Sequence, residues 1–101
     1  MSEEKLRIEE LRTIDEKVSA EVMGLRLAWY AVRFYSIDIA AAWDMEEEIQ
    51  RRGLYAEYGE AMSVLLDSPF VTASYYDFLH ASPELRCRAA LAAVRAAKET
   101  A

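Results

Sequence analysis

A single cysteine, Cys87, leaves this chain without an internal disulfide or a cysteine-built zinc site, which fits a reducing compartment. Three glycines and two prolines among 101 residues provide few breaks, so most of the chain belongs to regular elements. Gly24, Gly53 and Gly59 stand apart as isolated punctuation and build no phosphate-cradling loop. His80 is the only imidazole, and neither Glu-x-x-His nor His-Glu-x-x-His spacing occurs, so no metal site is expected. No apolar run approaches the roughly 20 residues of a membrane span. Met1-Ser2-Glu3-Glu4-Lys5 is too polar to open a signal peptide. A cytoplasmic protein without a cofactor is the expectation.

What is present is one domain's worth of core. Hydrophobic residues make up 53% and charged residues 30%, ample for a single domain over residues 1–101. Eighteen acids against twelve bases give a net charge of −6, which disfavours direct contact with nucleic-acid phosphates. The charge is uneven: residues 36–60 hold seven acids and two arginines, while 24–35 hold two arginines and no acid. Asp44, Glu46, Glu47 and Glu48 form the densest acidic cluster, followed by Arg51 and Arg52. It reads either as a solvated helix face paired with those arginines or as an electrostatic surface for a basic partner.

Residues 3–23 place Ile8, Leu11, Ile14, Val18 and Val22 at three- and four-residue steps, the period of an amphipathic helix that Gly24 is placed to stop. Residues 25–35 fit helix, strand or loop. A continuous helix from 3 to 52 would be about 75 Å long, so a break is expected near 24 or 35. Ser36 and Asp38 have the chemistry to open a second helix over 36–52, which Arg51, Arg52 and Gly53 close. From Leu54 the pattern alternates through Ala56, Tyr58, Met62, Val64 and Leu66, with Gly59-Glu60 and Asp67-Ser68-Pro69 as turns and Phe70-Val71-Thr72 beyond. This predicts a three-stranded meander over 54–78; the rival reading makes 54–67 and 69–80 two helices. Ser82-Pro83-Glu84 opens a last helix to about residue 98 with a capping hydroxyl, a proline at the first turn and a carboxylate for the dipole. The expected fold class is α+β, with two or three helices on a short antiparallel three-stranded sheet; the alternative is an all-α helical bundle.

Three stretches carry a family likeness: Ile14-Asp-Glu-Lys-Val-Ser-Ala-Glu-Val-Met-Gly24, Tyr35-Ser-Ile-Asp-Ile-Ala-Ala-Ala-Trp43, and Ala81-Ser-Pro-Glu-Leu-Arg-Cys-Arg-Ala-Ala-Leu91. Together they resemble the phage ABA sandwich domain family over about residues 14–95. The middle stretch is the most specific, since Tyr35, Ser36, Asp38 and Trp43 agree along with three alanines. The resemblance implies a small α+β layer fold and a phage or prophage origin, but no reaction. The family tends to carry a longer Pro- and Gly-containing loop where 25–34 here is apolar.

Catalytic side chains are scarce. A Cys87–His80 pair near Asp77 is conceivable on paper, but Cys87 lies in an alanine-rich helix where a small buried thiol is the simpler reading. An enzyme is therefore not expected. Aromatics are in surplus, with Trp29, Tyr30, Phe34 and Tyr35 in one short segment, and Tyr and Trp dominate binding hot spots. The functional expectation is a phage accessory protein acting by protein binding. Its target would be a host defence factor such as a CRISPR effector, met through Asp44, Glu46, Glu47 and Glu48. The other readings are a signalling-nucleotide binder using Arg26, Trp29, Arg33 and Tyr35, with a homodimer providing the pocket, and a virion assembly protein.

Overall fold

The computed structural model describes residues 2–66 and 80–100, and among these every regular element is helical. Helix α1 (Glu3–Lys17) starts at Ser2, whose hydroxyl accepts from the Lys5 N–H at 3.3 Å, with Glu3 and Glu4 at the positive end of the dipole. It runs into a π-helical turn (Val18–Val22) that widens its last turn, the Met23 N–H reaching back to the Val18 carbonyl. Gly24 then adopts φ 69°, a left-handed conformation costly for other residues, and the Leu25 N–H returns to the Ser19 carbonyl. Of the two break points that the length argument allowed, the chain uses residue 24.

Residues 25–38 form a strap with one 3₁₀ turn (Trp29–Ala31). Asp38 caps α2 (Ile39–Arg51) by accepting from the Ala40 N–H at 3.0 Å, so the helix starts later than the expected residue 36. Ser36 is buried and serves elsewhere. After Gly53, at φ 74°, α3 (Tyr55–Leu65) follows, and Ser82 caps α4 (Pro83–Thr100) by accepting from the Leu85 N–H.

Helix α4 is the hub, packing against α3, α2, α1 and the π turn. Its small buried residues Ala89, Ala90 and Ala93 let neighbours approach closely, and Val18, Val22, Met45, Ile49, Tyr58 and Met62 fill the space around them.

The α+β expectation is overturned. Among the described residues there is no strand, and 54–66, assigned to the meander, belong to α3 and its flanks. Gly59-Glu60 is no turn but lies within that helix. The rest of the proposed sheet, including Asp67-Ser68-Pro69 and Phe70-Val71-Thr72, lies outside the described residues, as do residues 69–79 of the rival helix over 69–80. The helical bundle given as the alternative is the architecture that fits. The alternation was misleading because Tyr58 and Met62 are also four residues apart, one helical turn, and only that pair is buried, while Ala56 and Val64 face water. The sandwich layering implied by the family resemblance falls with the sheet.

The two registers make opposite demands on neighbouring positions. On a strand Met62 and Val64 share a face; on α3 only Met62 is in the core. Met62→Ala should cost about 2–5 kcal/mol in urea denaturation, and Val64→Ala within about 0.5 kcal/mol. Equal losses at both positions would contradict the helix.

Candidate functional site

The strap is pinned to the helices from below. Asp15, buried in the last turn of α1, accepts the Ser36 N–H at 2.8 Å, and the Ser36 hydroxyl donates to the Leu11 carbonyl at 3.4 Å. Arg12, one turn earlier, donates to the Trp29 carbonyl at 2.8 Å, stacks 4.8 Å from the Phe34 ring centroid and stands 3.6 Å from Asp15. Arg33 donates to Asp44 of α2 at 2.7 Å. Burial raises the Asp15 carboxyl above its ordinary pKa, and the Ser36 hydrogen bonds and Arg12 offset only part of that.

The acidic cluster does not form one free face. Glu46 turns inward, accepting Arg86 at 2.8 and 3.0 Å and the Tyr58 hydroxyl at 2.5 Å. Burial and that carboxylate hold the Tyr58 phenol far above its usual pKa. Asp44 is committed to Arg33, and Glu48 accepts Arg51 Nε at 2.8 Å with Arg52 nearby. Glu47 alone of the four is exposed with no ion pair among the described residues. Among the described residues every arginine except Arg26 stands in an ion pair, including the seam that joins α1 and its π turn to α4 through Arg7–Glu84, Arg88–Glu10 and Arg95–Glu21.

The four residues considered for a nucleotide do not converge. Tyr35 is buried in the core, Arg33 lies over its ring at 5.7 Å but is held by Asp44, and Arg26 and Trp29 point to water. Cys87 is fully buried, and burial pushes its thiol up to about 12, so it is protonated and shielded at neutral pH. His80 is exposed.

What the fold does bring together is a cluster of exposed rings on the strap: Trp29 and Tyr30 meet edge to face with ring centroids 5.8 Å apart, and Arg12, bonded to the Trp29 carbonyl, lies over the Phe34 ring. Ile37 on the strap and Trp43 on α2 are exposed as well. Trp29 and Tyr30 are 69% and 76% exposed, Phe34 and Trp43 52% and 55%. Sequence reading singled out the aromatic surplus of 25–35 and took Trp43 only as a residue of the shared motif.

No helix among the described residues is long and apolar enough to cross a membrane, and none of their His, Cys, Asp and Glu side chains group in threes around a metal-sized space. Comparison with protein-family models, curated proteins and solved structures finds no match. The likeness to the phage ABA sandwich family therefore rests on the three quoted stretches.

Two buried groups give measurable consequences. With its pKa raised, native Asp15 keeps its proton to higher pH than the unfolded chain, so its contribution to stability falls as pH rises from about 4 through the raised value. Asp15→Asn keeps an acceptor for Ser36 and should flatten that slope and raise Tm at neutral pH. Asp15→Ala strands the Ser36 N–H and should cost about 1–3 kcal/mol. Thermal melts of both variants against pH check this. Arg86→Ala leaves Glu46 partly buried without its guanidinium and should cost about 3–5 kcal/mol in urea denaturation.

Proposed function

We propose that this chain is a phage-encoded accessory protein acting by stoichiometric binding to a host protein, without turnover. A nucleic-acid-handling defence effector such as a CRISPR effector is the class of target. The observation that carries the binding reading is the cluster of exposed Trp29, Tyr30 and Phe34 rings held around Arg12, because grouped apolar side chains left in water mark interaction sites. Tyr and Trp at its centre supply large contact area at low entropic cost. The charge pattern supports a basic target. With nearly all arginines neutralised internally, the carboxylates left over, among them Glu9, Glu16 and Glu47, give the outer surface its negative sign. The phage origin rests on the motif resemblance. The four acids acting together as one surface are not part of the proposal, since Glu46 is taken by Arg86 and Tyr58.

Affinity capture of the tagged protein from host lysate tests it, beside Trp29→Ala/Tyr30→Ala and Glu47→Lys. Neither variant breaks an internal ion pair. One host protein should be recovered in near one-to-one amount, be lost from the aromatic variant, and bind Glu47→Lys more weakly at low salt. Capture of nothing, or equal capture by all three, refutes the reading.

A further inference from the structure

We infer that the perpendicular Trp29 and Tyr30 rings on the strap seat an arginine side chain of the target, its guanidinium lying against their faces. The inference rests on the reading of this ring cluster as the contact surface for a host protein and names the chemistry it takes there.

The strap already uses its rings in this way. The Arg12 guanidinium lies 4.8 Å from the Phe34 ring centroid while it donates to the Trp29 carbonyl, and the Arg33 guanidinium lies 5.7 Å from the Tyr35 ring centroid. Both distances fall within the about 6 Å over which the negative face of an aromatic ring attracts a cation. Among the described residues no cation is seated on Trp29 or Tyr30. These two rings meet at 83° with centroids 5.8 Å apart, so their faces look in perpendicular directions, like two walls of the cages that hold organic cations. At 69% and 76% exposed they are the most open aromatic side chains among the described residues. Indole is also the ring that attracts a cation most strongly.

Arginine is the cation that fits. Its guanidinium is planar and more weakly hydrated than an ammonium, so it loses less on leaving water to stack on a ring. The charges nearby admit it. Arg12 is countered by Asp15 and Arg33 by Asp44, and Glu9 and Glu16, three residues before and four after Arg12, share its stripe of α1. Both are exposed and stand in no ion pair among the described residues. Arg26, three residues before Trp29, and Lys5, one turn before Glu9, oppose them, so the ring faces and not a local excess of carboxylates supply the attraction. The net charge of −6 acts at longer range by favouring approach of a basic partner. A protein that handles nucleic acid presents arginine and lysine to phosphates, so arginine is a group that such a target has to offer.

The test uses the purified full chain and two blocked pentapeptides, acetyl-Gly-Arg-Gly-Arg-Gly-amide and its analogue with citrulline at both arginines, which nearly keeps the shape and removes the charge. Trp29 and Trp43 are the only tryptophans, so NMR shows two indole N–H signals, and Trp29→Leu assigns them. Peptide is titrated to about 50 mM, because one cation–ring contact is weak in water. The arginine peptide should move the Trp29 signal at least about threefold further than citrulline does. Equal shifts from both peptides, no shift, or a shift at Trp43 alone overturns the inference. In capture from host lysate, Trp29→Leu/Tyr30→Leu keeps apolar surface without ring faces and should recover at least about fivefold less host protein, while Trp29→Phe/Tyr30→Phe recovers most of it. Full recovery by the leucine variant, with loss from Trp29→Ala/Tyr30→Ala, overturns the arginine seat and leaves the binding function standing. An arginine peptide that binds at Trp29 while capture yields nothing supports the seat and refutes the host-protein reading.

Discussion

The bundle depends on one buried ion pair. Glu46 of α2 accepts Arg86 of α4 and the Tyr58 hydroxyl of α3, while Arg86 Nε also donates to the Ala81 carbonyl just before α4 begins. Three helices therefore share one set of polar contacts at their common centre. A carboxylate and a guanidinium removed from water need good geometry and full hydrogen bonding to be tolerated, and this group has both. Such a contact discriminates among packings more sharply than apolar surface does. A shifted register of α3 would leave Glu46 without the phenol, and a shifted α4 would leave it without the guanidinium. The same network changes the meaning of the acidic run, since the residue at its centre is spent on the fold.

The strap shows a related economy of charge. Arg12 and Asp15 project from one side of α1 and hold the backbone of residues 29 and 36, and Asp44 holds Arg33. The backbone of an irregular segment is thereby satisfied without a sheet. Its rings remain outside because the volume beneath is already occupied by Val32 and Tyr35 from the same strap together with the helical core. Hydrogen-bonded backbone under exposed aromatic rings is the arrangement on which the proposed binding role rests, whereas Cys87 is buried and protonated.

Local chemistry was legible residue by residue. Gly24 and Gly53 take positive φ at helix ends, and Ser82 caps α4, because a terminus is settled by a few neighbouring groups. The cap of α2 was misplaced by two residues because Ser36 and Asp38 both have capping chemistry, and the choice between them was made by Asp15, 21 residues away, which takes the Ser36 N–H. The Leu54–Leu66 stretch satisfied a period of two and a period of 3.6 alike; packing of Tyr58 and Met62 against α4 selected the second. Of the candidate site residues, Trp29 and Arg26 are exposed as a binding role requires, while Tyr35 and Glu46 are taken into the interior by partners that no local pattern names.

Composition and spacing alone determined the first and last helices, their approximate end points and the negative overall charge, because these follow from residue counts and interactions within a turn or two. Tertiary structure decided that residues 55–65 are helical, which acids are internal and which aromatic rings stay in water. Each of those depends on what lies across the core from a residue, and desolvation, ion pairing and packing act between groups that are close in space whatever their separation along the chain.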